Sequence, residues 1–332
     1  MQRELAHPMG VCPLPLASAE NALGGRLQRE SLSQAPLSCP VVPDAVCDRP
    51  ATLLLPLIIL CENEGCPRGF WRWFMAYTIA VSGKGGTGKT TIAALLIDTL
   101  THNGNGELLA VDADPASNLN LALGLPLGRT VGDIREQALD LAHSNKFPAG
   151  MSKQDYLDYE IQDLLVESDR LDLIAMGRPE GQGCYCAANN MLRAILDRLS
   201  RSYRYVVIDT EAGMEHLSRH TTRDVDYLLL VSDPIVRGVA SAGVMARMVP
   251  QLQIRVERIG FALNRVPGGD IANLPPEIPA TIEQQGLELV AVLPSDPAVG
   301  ALDAVGRPII DLPPQSPLRQ AVEALVSSVI LS

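Results

Sequence analysis

The sequence predicts an α/β fold of three layers, a mostly parallel sheet covered by helices on both faces. Three observations predict it. From residue 77 onward, short and nearly continuous apolar runs alternate with segments of helical character. That is the pattern of parallel strands buried on both sides. The first apolar run leads through a glycine-rich loop into an apolar helix. Several runs end in Asp or Asn, and in such sheets ligands bind beyond the carboxyl ends of the strands.

Residues 77–81 read as the first strand, and residues 82–91 follow as Ser-Gly-Lys-Gly-Gly-Thr-Gly-Lys-Thr-Thr. Gly83, four residues, then Gly88, Lys89 and Thr90 form a complete phosphate-binding loop, so the fold expected is that of a P-loop NTPase. Gly83, Gly85, Gly86 and Gly88 let the backbone curl until its N–H groups, those of Thr87 and Thr91 among them, face phosphate oxygens. Lys89 reaches the β- and γ-phosphates, the Thr90 hydroxyl ligates Mg²⁺, and the positive end of the helix at 91–97 adds to the same field. Residues 108–111 form the next strand, ending in Asp112 and Asp114. Residues 155–167 carry Tyr156, Tyr159, Leu164 and Leu165 at helical spacing. Then come a strand at 171–176, a helix at 187–200, and a strand at 205–208 that ends on Asp209. Strands at 227–231, 259–263 and 289–293 complete the series.

Residues 75–332 account for this domain. Residues 1–74 differ: they are rich in Pro, Ser, Leu and Cys and have no sustained helical or strand period. They are expected to be a disordered leader, or translated sequence upstream of a native start at Met75. The apolar run at 52–60 is too short to span a bilayer and contains Pro56. Five of the seven cysteines (Cys12, Cys39, Cys47, Cys61 and Cys66) fall in this leader. ATP chemistry places the chain in the cytoplasm, where thiols stay reduced, so no disulfide framework is expected. A formal net charge of −11 argues against nucleic acid as a partner, and 4% aromatic residues argue against base-stacking platforms.

Lys84, directly after the first loop glycine, resembles the early lysine of the MinD/ParA/nitrogenase-iron-protein class of ATPases. The resemblance implies that it contacts the nucleotide of a facing subunit, supplying a cation for charge on the transferred phosphoryl group. Lys84, Lys89 and Asp114 then form the catalytic set. Asp112-Ala113-Asp114-Pro115 resembles the first switch of that class, which makes Asp114 the water-positioning residue and a neighbour of Mg²⁺. Asp209-Thr210-Glu211-Ala212-Gly213 resembles the second switch. Asp209 suits the outer carboxylate of the Mg²⁺ site, and the Gly213 N–H suits the γ-phosphate. Asn264 and Arg265 end one strand, and Pro294 and Asp296 follow another. By the same likeness both pairs lie near the adenine. Turn and helix capping is the competing reading for Asn264 and Asp296. His216 and His220, four residues apart, lack a third ligand and are read as non-metal histidines.

Cys184-Tyr185-Cys186 sits after a glycine-rich stretch. Two thiolates are half of a tetrahedral or square-planar set, and a two-fold dimer would complete it. With the loop and both switches, residues 75–332 resemble the CooC-type ATPases. That resemblance implies ATP-dependent insertion of nickel into carbon monoxide dehydrogenase as client, with Ni²⁺ or Zn²⁺ held by Cys184 and Cys186 at a homodimer interface. Alternatives are a spatial organiser of the MinD or ParA kind and an iron–sulfur electron-transfer ATPase. The segment at 318–326 has apolar spacing but almost no basic face, so no stable membrane association is expected.

Overall fold

A computed structural model of the chain describes residues 76–103, 107–144, 159–160, 163–177, 185–213, 224–252 and 254–331. The expectation for residues 1–74 lies outside them. So does the region of His216 and His220.

Among the described residues eight strands form one sheet: β1 (Tyr77–Gly83), β2 (Leu108–Asp112), β3 (Val166–Ser168), β4 (Leu171–Ala175), β5 (Tyr205–Asp209), β6 (Asp224–Ser232), β7 (Arg255–Val266) and β8 (Leu289–Pro294). Their order is β3-β4-β2-β5-β1-β6-β7-β8. Every pair is parallel except β3–β4, which is antiparallel at the edge. β1 and β5 are neighbours whose next strands lie on opposite sides: β1 is followed by β2 beyond β5, and β5 by β6 beyond β1. A ligand crevice opens at such a switch point.

The helices are α1 (Lys89–Asn103), α2 (Leu119–Leu123), α3 (Val131–Ser144), α4 (Tyr185–Leu199), α5 (Val236–Met248), α6 (Glu277–Gln285), α7 (Pro297–Ala304) and α8 (Pro317–Leu325). Two hydrophobic layers flank the sheet. Ile79 and Val81 point into the layer built with α1 and α8, through Ile92, Leu96, Val322 and Leu325. Ala80, between them, points into the other, with Ile134, Leu192, Val239 and Ile282. This alternation along one strand is the period-two geometry of a sheet buried on both faces.

One expected element is corrected. Within 155–167 only Tyr159 and Glu160 are helical among the described residues, and Val166–Ser168 form the edge strand β3. Leu164 is buried, but its apolar position suits either period. Pairing with β4 in the register Val166↔Leu173 decides for strand.

α1 is apolar nearly all round because it is enclosed nearly all round: Ile92 to Leu100 are buried without a break. Its buried Asp98 accepts from Arg319 Nη1 of α8 at 2.6 Å. The same guanidinium donates to the carbonyls of Leu312 at 2.9 Å and Ile310 at 2.6 Å. α8 therefore spends Leu318, Val322 and Leu325 on the core and its arginine on α1. Arg319→Ala would leave the buried Asp98 carboxylate with only the exposed His102 ring beside it, at 3.4 Å. We expect a loss of about 3 kcal/mol, read as a lowered denaturation midpoint with an unchanged urea slope.

Candidate functional site

The phosphate loop bridges β1 and α1. Its shape depends on Gly86 and Gly88, whose φ angles of 80° and 88° lie where side chains are disfavoured. Gly88 has a second constraint, since a Cβ there would stand 2.6 Å from Asn264 Nδ2. Five of the loop's carbonyls have donors. Gly83 O accepts from the Gly213 N–H at 3.2 Å, and Gly88 O accepts from Ile92 N–H at 3.0 Å. Lys84 O accepts from Thr87 Oγ1 at 2.9 Å and Lys89 Nζ at 3.5 Å. Asn264 Nδ2 donates to Thr87 O at 2.8 Å, and Arg265 Nη1 to Gly86 O at 2.7 Å.

A cavity of about 390 Å³ opens above the loop, lined by Gly85, Gly86, Gly88, Lys89, Thr90, Asp114, Glu211, Ala212 and Arg265. The three segments singled out from the sequence (the loop and both switch-like stretches) thus meet at one place. Glu211 and Ala212 were expected only as part of the segment around Gly213; directly after a strand-ending Asp they are well placed to line the site. Asp233, which pairs with Arg265 at 3.2 Å, was not anticipated. Its signal was an acidic residue one position beyond β6.

Lys89 is buried and Lys84 exposed. The Lys84 ammonium has no hydrogen-bond or ion-pair partner among the described residues, and it does not line the cavity of its own chain. Gly213 lies against the loop, its N–H on Gly83 O and its carbonyl accepting from Ser82 Oγ at 3.0 Å. The N–H expected to face the γ-phosphate is therefore engaged within the chain. Asp296 caps α7 by accepting from Ala298 N–H at 2.9 Å and also accepts from Ser316 Oγ at 2.5 Å. Neither it nor Pro294 lines the cavity. Cys184 lies outside the described residues, and Cys186 falls in the first turn of α4 with its side chain outside them.

Two carboxylates stand at adjacent strand ends and do not themselves line the cavity. Asp112 and Asp209 are register partners at the ends of β2 and β5 and are almost wholly buried. Burial pushes Asp112 up to about 6, against hydrogen bonds from the N–H groups of Leu119 at 2.8 Å and Asp114 at 3.1 Å. Burial likewise pushes Asp209 up to about 7, opposed by the Thr90 hydroxyl and Lys89 and reinforced by Asp112 and Asp114. Asp209 Oδ1 has no hydrogen-bond partner. An orphaned carboxylate oxygen beside a threonine hydroxyl fits Mg²⁺, which takes one or two protein oxygens, water and phosphate oxygens. Among the described residues no three His, Cys, Asp or Glu groups are placed to hold a metal without such help. Asp114 lines the cavity, with Oδ1 accepting from the Ala116 N–H at 2.8 Å.

These shifts fix a sign. A carboxylate whose folded pKa is raised favours the fold below its unfolded pKa of 3.8, and loses that contribution as pH rises through about 7. In the metal- and nucleotide-free chain, Asp209→Asn should match wild type near pH 4. By pH 8 it should be more stable by on the order of 4 kcal/mol. Urea titration at both pH values checks this.

Among known proteins, residues 78–309 match the CobQ/CobB/MinD/ParA nucleotide-binding domain. The chain is 42% identical over 256 residues to an uncharacterised ATP-binding protein of Methanocaldococcus jannaschii, covering 76% of this chain and 98% of that one. It is 29% identical over 265 residues to the carbon monoxide dehydrogenase accessory protein CooC of Rhodospirillum rubrum, covering 76% and 95%. Of solved structures, the cell division ATPase MinD of Pyrococcus furiosus superposes with a TM-score of 0.57 at 25% identity, over 76% of this chain and 98% of that one. MinD of Pyrococcus horikoshii complexed with Mg-ADP superposes with the same score and identity, over 77% and 96%. With residues 78–309 matched by its model, the chain belongs to the CobQ/CobB/MinD/ParA family of nucleotide-binding P-loop proteins.

Proposed function

We propose that the chain is an ATP-hydrolysing metallochaperone that inserts nickel during maturation of carbon monoxide dehydrogenase, acting as an ATP-dependent homodimer in the cytoplasm. The observation that carries the nucleotide half is the convergence of Lys89, Thr90 and Asp114 on one cavity. The metal half is supported by Cys184-Tyr185-Cys186 and by the likeness to an accessory protein of that dehydrogenase.

In this reading the loop N–H groups and Lys89 bind the phosphates. Thr90 and Asp209 would hold Mg²⁺, which when bound would neutralise phosphate charge. Asp114 orients a water whose oxygen bonds to the γ-phosphorus as the bond to the bridging oxygen breaks, releasing ADP and phosphate. The exposed Lys84 reaches the nucleotide of a second copy. Cys184 and Cys186 from each copy supply four thiolates to the transported Ni²⁺, or to Zn²⁺. The second reading is a spatial organiser, supported by the likeness to MinD. ATP-dependent pelleting with liposomes or DNA would favour it.

Lys84→Ala should bind ATP as wild type does and lose turnover by about a thousandfold, together with ATP-linked dimerisation. Unchanged turnover would remove the role across the interface. Replacing Cys184 and Cys186 together with Ala should leave ATP affinity intact and abolish bound metal, read by anaerobic metal analysis with and without ATP. Full metal content in that variant would end the thiolate assignment.

A further inference from the structure

We propose that Arg265, aimed by Asp233, is a positioning residue that sets the donor orientation of the phosphate loop. The proposal rests on the nucleotide site described above but concerns phosphate rather than base.

In a planar trans peptide the carbonyl and the N–H point opposite ways. A bond that draws a carbonyl outward therefore turns the N–H of the next residue inward. Arg265 takes Gly86 O at 2.7 Å, which orients the Thr87 N–H. Asn264 takes Thr87 O at 2.8 Å, which orients the Gly88 N–H. Consecutive residues of β7 thus grip consecutive peptides of the loop. Gly86, at φ 80°, is among the least constrained of loop residues, so its peptide gains most from an external hold.

Arg265 is built for this position at a cost. Its φ is 57°, a left-handed conformation that a non-glycine residue adopts only where its surroundings impose it. Its guanidinium is half exposed and pairs with Asp233 Oδ1 at 3.2 Å, whose side chain is mostly covered. An ion pair so exposed contributes little through charge alone. Its effect is directional, since the carboxylate fixes one edge of a planar fork whose Nη1 then meets Gly86 O.

A base contact and a phosphate-loop hold make different demands on ligand. Isothermal titration with Mg-ATP and with Mg-tripolyphosphate, which has no base, separates them in wild type, Arg265→Ala, Arg265→Lys and Asp233→Asn. We expect Arg265→Ala to weaken both ligands by the same factor, about tenfold. Arg265→Lys should fall between it and wild type, and Asp233→Asn should lose about threefold for both. Weakening of ATP alone, or of neither ligand, would overturn the proposal. Hydrogen exchange in the nucleotide-free chain gives a readout without ligand. Faster uptake at the Thr87 amide in Arg265→Ala, with uptake in α8 unchanged, supports the hold, and unaltered uptake at Thr87 overturns it. Should wild type bind neither ligand, the nucleotide site itself falls, an outcome distinct from loss of the Arg265 role.

Discussion

A loop can aim its N–H groups at an anion only when its carbonyls find partners on the other side. That constraint organises the site. Gly83, Lys84, Gly86, Thr87 and Gly88 each direct a carbonyl to a named donor. The donors come from α1, from β7, from the segment after β5 and from the loop itself. The sheet is thus more than a platform: β5, β1 and β7 fix the loop from separate positions, and the order of strands brings them together.

The same crowding makes the ends of β2 and β5 electrostatically uneasy. Two buried carboxylates end adjacent strands, Asp112 compensated by the N–H groups of Leu119 and Asp114, and Asp209 by Lys89 and the Thr90 hydroxyl. Bringing in Mg²⁺ with phosphate would satisfy the orphan oxygen of Asp209 and favour its charged form. Binding and protonation are then coupled through Asp209, beside the helix that carries Lys89 and Thr90.

Much of this was legible in the chain. Apolar runs buried on both faces admit one reading, and strand-ending Asp112, Asp209 and Asn264 fall at the crevice because parallel strands end there. The residues that escaped did so for physical reasons. Val166–Ser168 is too short to show a period, and only its pairing with β4 declares it a strand. Asp233 lies 32 positions from Arg265, so nothing local marks their pairing. Gly213 and Asp296 were placed by position, but their hydrogen bonds are with Gly83, Ser82, Ala298 and Ser316, partners that spacing does not reveal.

Arg319 joins Asp98, Ile310 and Leu312 in a single knot, and α1 is wrapped along most of its length. A rod so fixed cannot slide or swivel as a piston. Whatever movement accompanies a change of bound phosphate must be taken up at the rod's tip and in the short segments after β2 and β5, while the buried cylinder behind them acts as the stator of the machine.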